Sequence, residues 1–573
     1  MSVRPPQPEI LTGAQILCRE LVAAGVDVIF GYPGGAIMPF YHALPEYEGL
    51  RHILVRHEQA AAHAADGYAR ASGRVGVCVA TSGPGATNLV TGLATAHMDS
   101  SPVLAITGQV GRPMIGRDAF QETDIIGLTL PITKYNHLVQ DISELASQVR
   151  EAVAIAQDGR PGPVLLDVPK DVQNQKAEYQ PPPARAGARG ATGARAESME
   201  EAVAAAARLI AEAARPLLMI GHGVILSGAY GEVRALAEKT GIPVITTLLG
   251  ISAFPESHPL HLGMPGMHGE VHVNRAIQHA DLIVGIGLRF DDRVTGNLAA
   301  FAPHAKIIHV ELDRAEIGKN VAVAVGIVGD ARQVTARLVE AVRPRSCAQW
   351  LDEIRGFVRP RVESYSGDLS PEAILASIYE VTGTSCTIVT DVGQHQMWVA
   401  KHYPYQRANT HITSGGLGTM GFAVPAAIGV HLARPGEVVW AISGDGGFQM
   451  NMAEIATMVQ EGLSVKMAIF NNGYLGMVRQ WQQFFHEKRY SCTPIWSPDY
   501  VKLADAYGIA GWRVENRGQL DDVVRRANAE PGPALVEFVI AQEANVYPMI
   551  PPGGSLSEPI EAQPAQPAET PAD

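Results

Sequence analysis

The chain of 573 residues is predicted to be an α/β protein with three doubly wound, parallel-sheet domains. Three observations predict this class. Short apolar runs alternate with helical stretches along most of the chain, which is typical of parallel sheets. The 58 glycines and 39 prolines suit many strand-to-helix turns better than a helical bundle. The length, at roughly 100–200 residues per domain, favours three or four domains.

Two predicted linkers divide the chain. The first is a Pro-, Ala-, Gly- and Arg-rich stretch without hydrophobic periodicity, and the second joins the central unit to the third. The Pro-, Ala- and Glu-rich end of the chain is predicted to be a flexible tail. The predicted order is an N-terminal domain (1–180), a linker (181–197), a central domain (198–345), a second linker (346–368), a C-terminal domain (369–550) and the tail (551–573).

Apolar runs of four to six residues predict the strands of these domains. They lie at 26–31, 51–55, 75–80, 102–106 and 164–168 in the N-terminal domain, at 217–220, 243–246, 282–286 and 306–310 in the central domain, and at 438–443 and 465–470 in the C-terminal domain. The first and third domains share an α/β pattern, but their sequence similarity is too faint to establish a repeat.

The composition excludes several classes of function. A net charge of −13 and a pI near 5.8 argue against a nucleic-acid surface. Five scattered cysteines without paired spacing argue against a disulfide framework or a zinc site and favour a reducing compartment. No run of ~20 apolar residues could span a bilayer, and the N-terminal residues lack the apolar core of a secretory signal. We therefore expect a cytoplasmic protein with no membrane partner.

A carboxylate and an amide follow two neighbouring predicted strands of the C-terminal domain. Asp445 follows the strand at 438–443, and Asn472 follows the strand at 465–470, 27 positions further along (472 − 445). Open parallel sheets bind ligands at this edge. One carboxylate with one or two neutral oxygens leaves Mg²⁺ in need of further ligands, which it typically takes from a phosphate. The sequence predicts a Mg²⁺–diphosphate clamp, and the alternative is a purely structural Asp turn and Asn pair.

The stretch between these two strands predicts a single helix, which makes the unit strand–helix–strand. Asn451 and Glu454 have the spacing of a reciprocal helix cap, and Gly462 has the position of a helix stop. Glycines beside Asp445 would let backbone N–H groups approach a phosphate.

Gly-Asp-Gly and Asn-Asn at this spacing resemble the signature of the thiamine-diphosphate enzymes, and the resemblance implies their decarboxylase and carboligase architecture. It implies that Asp445, Asn472 and the backbone carbonyl of Tyr474 bind the metal. Tyr474 and Gly447 are minor departures from the family pattern. The resemblance assigns thiamine-diphosphate binding to Glu58, Val392, Gly393, Gln394, His395, Gly418, Met420, Gly444, Asp445, Gly446, Gly447, Asn472, Tyr474, Leu475, Gly476 and Met477.

Glu58 is the candidate activating acid. The cofactor's 4′-amino group must take the C2 proton, which requires a carboxyl group hydrogen-bonded to N1′ of the aminopyrimidine. Glu58 follows the strand at 51–55 and opens a helix of small residues, a position that the helix dipole alone would also favour. The segment around it resembles the family's glutamate motif. In the family this glutamate comes from the partner subunit, which implies a homodimer or higher assembly.

Gly418-Thr419-Met420-Gly421 resembles the family segment whose bulky side chain bends the cofactor, so that Met420 would bring the 4′-nitrogen against C2. Simple core packing is the alternative for Met420. Gly416, Gly418 and Gly421 also satisfy the dinucleotide glycine pattern. They follow 412–414, which is not a clear buried strand, so we reject that interpretation.

The central domain resembles the FAD site of the acetohydroxyacid synthases. Glycine-rich turns at strand ends can admit a pyrophosphate, arginines can pair with it, and carboxylates can accept from ribose or adenine. In this family the FAD is not consumed in a net redox step. The resemblance assigns FAD binding to Arg160, Gly221, Gly223, Thr247, Leu248, Met267, His268, Gly269, Gly287, Arg289, Asp291, Arg293, Glu311, Leu312, Asp330 and Ala331.

The resemblance covers nearly the whole chain and is greatest to the catalytic large subunit of these synthases. It implies that Gly35 and Gln121 lie near the reacting carbon, together with Glu58 and Met420. It assigns substrate contacts to Phe120, Lys170, Arg293 and Trp481. Arg293 would pair with the carboxylate of the second oxo acid, or would serve FAD alone. Trp481 would shape a pocket for an extra methyl group, or would be merely a buried aromatic.

The implied reaction begins with decarboxylation of pyruvate, in which the thiazolium takes up the electron pair. The two-carbon unit is then ligated to a second pyruvate, which forms 2-acetolactate, or to 2-oxobutyrate, which forms 2-aceto-2-hydroxybutyrate. These products feed valine, leucine and isoleucine synthesis. A regulatory small subunit is implied by the resemblance only.

Four other interpretations remain at this stage. A pyruvate oxidase would share both cofactors but pass electrons to FAD. A glyoxylate carboligase would lack the activating glutamate, which Glu58 supplies here. A catabolic acetolactate synthase would lack the FAD motif that runs from Arg289 to Arg293. A noncatalytic nucleotide-binding scaffold would not need to keep Glu58, Gln121 and Met420 together.

Overall fold

The computed structural model of the protein describes residues 9–179, 196–359 and 369–562. Within these residues it contains three six-stranded parallel sheets and one two-stranded ribbon. Most of the predicted linker 181–197 and the end of the predicted tail, 563–573, lie outside the described residues, as does 360–368.

The N-terminal domain is a parallel sheet with strand order β3-β2-β4-β5-β7-β6, and β1 pairs antiparallel with β8 beside it. Its elements are β1 (Ile10–Thr12), α1 (Gly13–Ala23), β2 (Val28–Gly31), α2 (Met38–Ala43), β3 (Arg51–Leu54), α3 (Glu58–Ser72), β4 (Gly76–Ala80), α4 (Pro84–Asn88), α5 (Val90–Asp99), β5 (Val103–Gln109), α6 (Ile125–Thr129), β6 (Tyr135–Leu138), α7 (Ile142–Gln157), β7 (Val164–Pro169), α8 (Lys170–Asn174) and β8 (Lys176–Glu178).

The central domain has strand order β11-β10-β9-β12-β13-β14. Its elements are α9 (Ala196–Glu212), β9 (Pro216–Ile220), α10 (His222–Ser227), α11 (Tyr230–Thr240), β10 (Val244–Thr246), β11 (His261–Gly263), α12 (Val271–His279), β12 (Leu282–Ile286), α13 (Asp292–Thr295), β13 (Lys306–Glu311), β14 (Val325–Val328), α14 (Ala331–Ala341) and α15 (Ala348–Arg355).

The C-terminal domain has strand order β16-β15-β17-β18-β20-β19. Its elements are α16 (Pro371–Thr382), β15 (Cys386–Thr390), α17 (Gln394–His402), β16 (His411–Thr413), α18 (Ala423–Ala433), β17 (Val438–Gly444), α19 (Asp445–Asn451), α20 (Ile455–Glu461), β18 (Val465–Asn471), α21 (Gly476–Phe485), α22 (Tyr500–Ala506), β19 (Ala510–Val514), α23 (Arg517–Ala529) and β20 (Ala534–Val539).

The strand orders relate the three sheets to one another and locate their binding edges. Numbered within each sheet, the N- and C-terminal domains both run 2-1-3-4-6-5, whereas the central domain runs 3-2-1-4-5-6, the order of dinucleotide-binding folds. The strand order first reverses between β2 and β4, between β9 and β12, and between β15 and β17, and the N- and C-terminal sheets reverse again at their edge strands β6 and β19. Ligands bind where the order reverses, outside the carboxyl ends of the strands.

Glycines allow a close crossing of helices α3 and α18, which joins the first and third domains. A Cβ at Gly67 would lie 2.2 Å from the carbonyl oxygen of Ala426, and one at Gly429 would lie 1.9 Å from that of Ala64. Backbone therefore packs directly on backbone here. One hydrophobic core runs through both helices into both sheets, so the two domains form a continuous packed unit.

Two segments pack more tightly than their composition predicts. The second predicted linker, 346–368, contains helix α15, whose Trp350 and Ile354 are buried in the core of the central domain. The predicted tail, 551–573, is not flexible throughout: Leu556 is buried in the same core, and the Gly554 carbonyl accepts from Asn297 N–H. A few apolar side chains in a polar stretch are enough to anchor each segment, because the central sheet offers them a partner.

Candidate active site

The predicted pairing of Asp445 with the segment that follows β18 is present. Strands β17 and β18 are parallel neighbours, and Gly444 is in register with Phe470. Asp445 Oδ2 accepts from the N–H of Gly473 at 2.9 Å, and Asn472 Oδ1 accepts from the next amide, Tyr474 N–H, at 3.1 Å. Burial raises the pKa of Asp445 to about 6. A nearby cation would offset that cost, as expected of a metal ligand.

The predicted helix cap between these strands is absent. The helix α19 begins at Asp445 itself, and Asn451 makes no capping hydrogen bond. Instead the Asn451 side chain donates to the Gly421 carbonyl at 2.6 Å, and Glu454 accepts from Arg56 N–H at 2.8 Å. Long-range partners therefore use the two side chains that the local pattern assigned to a cap. The predicted single helix is two helices, α19 and α20, and the second one ends at Gly462 as predicted, where φ is +65°.

A glycine-lined hollow adjoins Asp445. Gly393 and Gly444 pack on the His395 ring, whose Nε2 is buried without a hydrogen-bond partner among the described residues. Burial lowers the pKa of His395 to about 3, so the ring is neutral. A Cβ at Gly393 or at Gly444 would stand 3.0 Å from that ring. Of the predicted thiamine-diphosphate residues the hollow is lined by Val392, Gly393, Gln394, His395, Met420, Gly444, Asp445, Gly446, Gly447, Asn472, Tyr474, Leu475, Gly476 and Met477.

Gly447 has a steric reason to be glycine. A Cβ at this position would stand 2.6 Å from the Asp391 carboxylate. Asp391 is fully buried and accepts from the N–H groups of Val392, Gly421 and Ala423. Burial raises its pKa to about 6. The carboxylate joins the turn after β15 to the end of the Met420 segment.

The segment that carries Met420, residues 414–421, belongs to the C-terminal domain and is also held by the N-terminal domain. Its Gly415 and Gly416 N–H groups donate to Asp99 of helix α5 at 2.9 and 2.6 Å. The Thr419 hydroxyl lies 2.7 Å from that of Thr95, on the same helix. The segment follows β16, a short buried strand that the sequence analysis did not recognise. No helix follows until α18, so the dinucleotide glycine pattern is still rejected.

A cavity of about 900 Å³ extends from the central domain to Met420. It joins the predicted flavin residues to the predicted thiamine residues, because Val392, Gly393, Gly418, Met420 and Met477 line it as well. Trp481 lines it and packs edge-on against Phe485, with ring centroids 5.6 Å apart. The predicted FAD residues on its surface are Arg160, Gly223, Thr247, Leu248, Met267, His268, Gly287, Arg289, Asp291, Arg293, Glu311, Leu312, Asp330 and Ala331.

The two remaining predicted FAD residues support the cavity without lining it. Gly221 lies against the Gly287 carbonyl, and a Cβ there would stand 2.4 Å from that oxygen. Gly269 closes the turn that starts at Pro265, and a Cβ there would stand 2.4 Å from the Pro265 carbonyl carbon. Both are close-packing glycines at the turns after β9 and β11.

Several predicted FAD side chains already have partners. Asp291 caps helix α13 and Asp330 caps α14, through backbone N–H groups. Glu311 accepts from the N–H groups of Leu312 and Asp313. Arg160 bridges to Asp313 and Glu316 at 3.3 and 3.0 Å. Arg293 is mostly exposed, and its guanidinium lies 3.7 Å from Asp292.

The predicted catalytic residues of the N-terminal domain lie outside the linings of the hollow and the cavity. Glu58 begins α3, and its Oε2 accepts from Asn88 at 2.9 Å. Gln121 has φ +61° and packs on Gly83 at the start of α4. Phe120 is 88% exposed. Neither cavity described above is lined by Glu58, Gln121, Gly35, Phe120 or Lys170.

Among the described residues no three His, Cys, Asp or Glu side chains cluster as a metal centre. The five cysteines are free, and Cys492 is the exposed one. Nor does any helix in the described ranges have both the length and the apolar character to cross a membrane.

Three contributors to the site were missed from the sequence. Asp99 and Thr95 reach the Met420 segment across more than 300 residues of chain, and Gln480 contacts the turn of Gln394 from helix α21. An acidic residue at the end of an apolar helix is a common surface feature, and a glutamine inside a helix is commoner still. No local pattern distinguishes these three residues.

Profiles of the thiamine pyrophosphate enzymes match all three domains: the N-terminal TPP binding domain over 11–128, the central domain over 203–338 and the C-terminal TPP binding domain over 391–538. The chain belongs to the thiamine pyrophosphate enzyme family.

Relatives narrow this assignment. The acetolactate synthase large subunit IlvB1 of Mycobacterium tuberculosis is 50% identical over 566 residues, which covers 96% of this chain and 91% of the relative. The large subunit of Corynebacterium glutamicum is 46% identical over 97% of this chain and 91% of its own length. The probable large subunit of Methanocaldococcus jannaschii is 46% identical over 97% and 96%. Within the family, the chain is thus similar over nearly its whole length to acetolactate synthase large subunits.

Proposed function

We propose that the protein decarboxylates pyruvate and ligates the two-carbon unit to a second 2-oxo acid. With pyruvate the product is 2-acetolactate, and with 2-oxobutyrate it is 2-aceto-2-hydroxybutyrate. This reaction is the first common step of branched-chain amino-acid synthesis. The proposal rests on one observation: Met420 lines both the glycine-lined hollow beside Asp445 and the cavity of about 900 Å³, so the two are neighbours. Relatives named acetolactate synthase support the same reaction.

Asp445, Asn472 and the Tyr474 carbonyl would hold Mg²⁺, and the glycine turns with His395 would hold the diphosphate of thiamine diphosphate. Three features support this assignment: a buried carboxylate with a raised pKa, a neutral buried imidazole whose Nε2 has no hydrogen-bond partner among the described residues, and glycines at which a Cβ would crowd that imidazole. When bound, the cofactor supplies an electron sink for decarboxylation. Met420, on its doubly anchored segment, would set the bend of the cofactor.

The central-domain end of the cavity would hold FAD. The strand order of that domain and the close approach of Gly221 and Gly223 to Gly287 support a dinucleotide at the turn after β9. Arg160 and Arg289 would pair with its pyrophosphate. The proposed role of the flavin is non-redox, because the ligation of two oxo acids consumes no electrons.

The acceptor oxo acid would bind between the two cofactors. Arg293 offers an exposed guanidinium to its carboxylate, and Trp481 borders the space where an additional methyl group would fit. Lys170 and Phe120 would approach from the N-terminal half-site. A pocket of this kind also excludes water, and so protects the two-carbon unit from protonation.

A complete site would need two copies of the chain. Glu58, Gly35 and Gln121 lie at the reversal point of the first sheet, while the diphosphate hollow lies at that of the third. Phe120 and Trp496, which flank the two half-sites, are 88% and 81% exposed in the single chain. Large aromatic side chains at this exposure are suited to an interface. We therefore propose a homodimer or higher assembly in which Glu58 reaches the partner's pyrimidine ring.

The remaining proposals concern the cellular setting. A separate regulatory small subunit is proposed because the relatives are named large subunits. A cytoplasmic location is proposed from the reduced, scattered cysteines.

The proposal is tested by product analysis. Purified protein is incubated with pyruvate, thiamine diphosphate, Mg²⁺ and FAD, and the products are identified by mass spectrometry. We expect 2-acetolactate, with 2-aceto-2-hydroxybutyrate once 2-oxobutyrate is added. Flavin bleaching by pyruvate at the turnover rate without acetolactate would instead establish an oxidase.

A further inference from the structure

A chain of buried carboxamides leads from the Asn472 side chain into the protein. Asn472 Nδ2 donates to Gln394 Oε1 at 3.3 Å, and Gln394 Nε2 donates to Gln480 Oε1 at 2.8 Å. Asn472, Gln394 and Gln480 are 7%, 3% and 0% exposed. They come from the turn after β18, the start of α17 and the middle of α21, so three elements meet through amides alone.

Backbone groups at the far end determine which way each amide points. Gln480 Oε1 accepts from Val546 N–H at 2.8 Å, and Gln480 Nε2 donates to the Val546 carbonyl at 3.1 Å. A backbone N–H can only donate and a carbonyl can only accept, so the orientation of Gln480 is forced. Amide orientation is normally inferred from such a network, and here the network has a unique solution.

The orientation of the Gln394 amide is determined in the same way. Its Nε2 faces two acceptors, Gln480 Oε1 and the Ala544 carbonyl at 2.7 Å. A reversed Gln394 would place its oxygen against both of those oxygens, in a site that excludes water. Gln394 must therefore present Oε1 to Asn472.

Asn472 then has one favourable orientation. Its Nδ2 donates to Gln394 Oε1, which turns Oδ1 toward the Tyr474 N–H. Tyr474 N–H favours the same orientation from the other side. Mg²⁺ binds amide oxygen and not amide nitrogen, so the orientation of this side chain decides whether it can serve as a ligand.

We propose that Gln394 and Gln480 are positioning residues that orient the Asn472 carboxamide with its oxygen toward the metal position. The inference rests on the proposed Mg²⁺–diphosphate site, and it gives Gln480 and Gln394, which also lines the hollow beside Asp445, a role distinct from that of the three metal ligands. Mutation of residues that hold a metal ligand in place commonly lowers metal affinity by about 10–100-fold. The arrangement also couples the metal site to helix α21, which carries Trp481.

The test uses the full-length protein with saturating thiamine diphosphate and Mn²⁺ as a paramagnetic probe for the metal position. Gln394→Met keeps the volume but removes the acceptor for Asn472, so the Kd for Mn²⁺ should rise by about tenfold or more. Gln278→Met is the matched control: Gln278 also bonds backbone at both ends of its amide, to the Ala300 carbonyl and Ala302 N–H, in the central domain. It should leave the Kd unchanged.

A double-mutant cycle separates orientation from mere packing. In an Asn472→Asp background the carboxylate presents oxygen on both sides, so orientation no longer matters. There Gln394→Met should cost nothing in Mn²⁺ affinity or should improve it, because it removes an oxygen that faces the carboxylate. An equal loss in both backgrounds would mean a packing role and would overturn the inference.

The other outcomes are equally decisive. Unchanged Mn²⁺ affinity in Gln394→Met would overturn the inference while leaving the proposed function intact. Wild-type protein that binds no Mn²⁺ with thiamine diphosphate would overturn the proposed function itself. Circular dichroism and the melting temperature check folding. Should Gln394→Met not fold, Gln480→Met carries the test, with a smaller loss expected because the Ala544 carbonyl still orients Gln394.

Discussion

Asp99, at the end of a helix in the N-terminal domain, accepts the N–H of Gly416 in the C-terminal domain at 2.6 Å. The same carboxylate accepts from Gly415 and from Arg70, and all of these contacts are buried or partly buried. Arg70 also pairs with Asp66 at 2.7 Å. A compact ion network thus ties the first domain to the segment that delivers Met420. The position of Met420 depends on a domain that contributes no atom to the diphosphate hollow.

Asp99→Asn should loosen this segment, because an amide has one acceptor oxygen where the carboxylate has two. We expect faster hydrogen–deuterium exchange over 414–421 and a kcat lower on the order of tenfold, since small displacements of positioning groups are costly. Asp281→Asn is the matched control. Asp281 likewise accepts two successive N–H groups, those of Ala214 and Arg215, far from Met420. Unchanged exchange over 414–421 in Asp99→Asn would disprove this role.

Glu58→Gln should nearly abolish carboligation while FAD remains bound, because a neutral amide cannot serve as the activating acid. Turnover like that of the wild type would refute the assignment. Subunit mixing tests the shared site. If Glu58 acts in the partner's site, a random mixture of Glu58→Gln and Asp445→Asn chains forms mixed dimers with one intact site and should recover about a quarter of full activity. If Glu58 acts within its own chain, the mixture should stay inactive.

Trp481→Leu should lower the preference for 2-oxobutyrate over pyruvate, because the indole borders the space proposed for the extra methyl group. One methylene in an apolar pocket is worth about 1–3 kcal/mol, so a change of roughly tenfold in the product ratio is expected. The ratio is measured with both acceptors in competition. Trp512→Leu, on strand β19, is the control, and an unchanged ratio in Trp481→Leu would remove the specificity role.

Gly429→Ala should destabilise the protein by about 1–3 kcal/mol, because its Cβ would stand 1.9 Å from the Ala64 carbonyl oxygen and both backbones would have to move. Gly231→Ala is the control, since a Cβ at that helical position meets nothing within 4 Å. It should be neutral or stabilising by up to about 1 kcal/mol. Melting temperatures of the two variants decide the matter, and equal values would argue against the close helix crossing.

Burial raises the pKa of Asp167 to about 6, although Thr107 and Gln109 donate to it. The folded state binds this proton more tightly than the unfolded state, so the stabilisation is complete below the unfolded value of 3.8 and is lost as the pH rises through about 6. The shift corresponds to about 3 kcal/mol. The denaturation midpoint of the wild type, measured relative to that of Asp167→Asn, should therefore decrease as the pH is raised from 4 to 7. A constant difference would exclude the raised pKa.

Local pattern alone predicted most of the architecture. Strands at the binding edges, such as β9, β12 and β17, lie within one residue of the predicted runs at each end, because buried parallel strands are continuous apolar stretches bounded by glycine turns. The juxtaposition of Asp445 and Asn472 followed from the rule that neighbouring parallel strands end at one edge. The predicted roles of the individual site residues stay predictions.

Other features had no local signal. Asn451 and Glu454 have the spacing of a cap, yet each bonds to a partner elsewhere in the chain. The anchoring of α15 and Leu556 depends on the central core being there to receive them.

The amino-acid sequence by itself determined the three parallel sheets, the glycine turns at their edges and the chemical types of the groups at those turns, because each depends on residues near one another in the chain. Only the tertiary structure decided how those groups are positioned. It set the contact of Asp99 with the segment that carries Met420, the chain of amide hydrogen bonds from Val546 to Asn472, and the separation of Glu58 from the hollow beside Asp445. Hydrogen bonds between distant segments produce no periodic pattern in the sequence, so the sequence alone does not predict them.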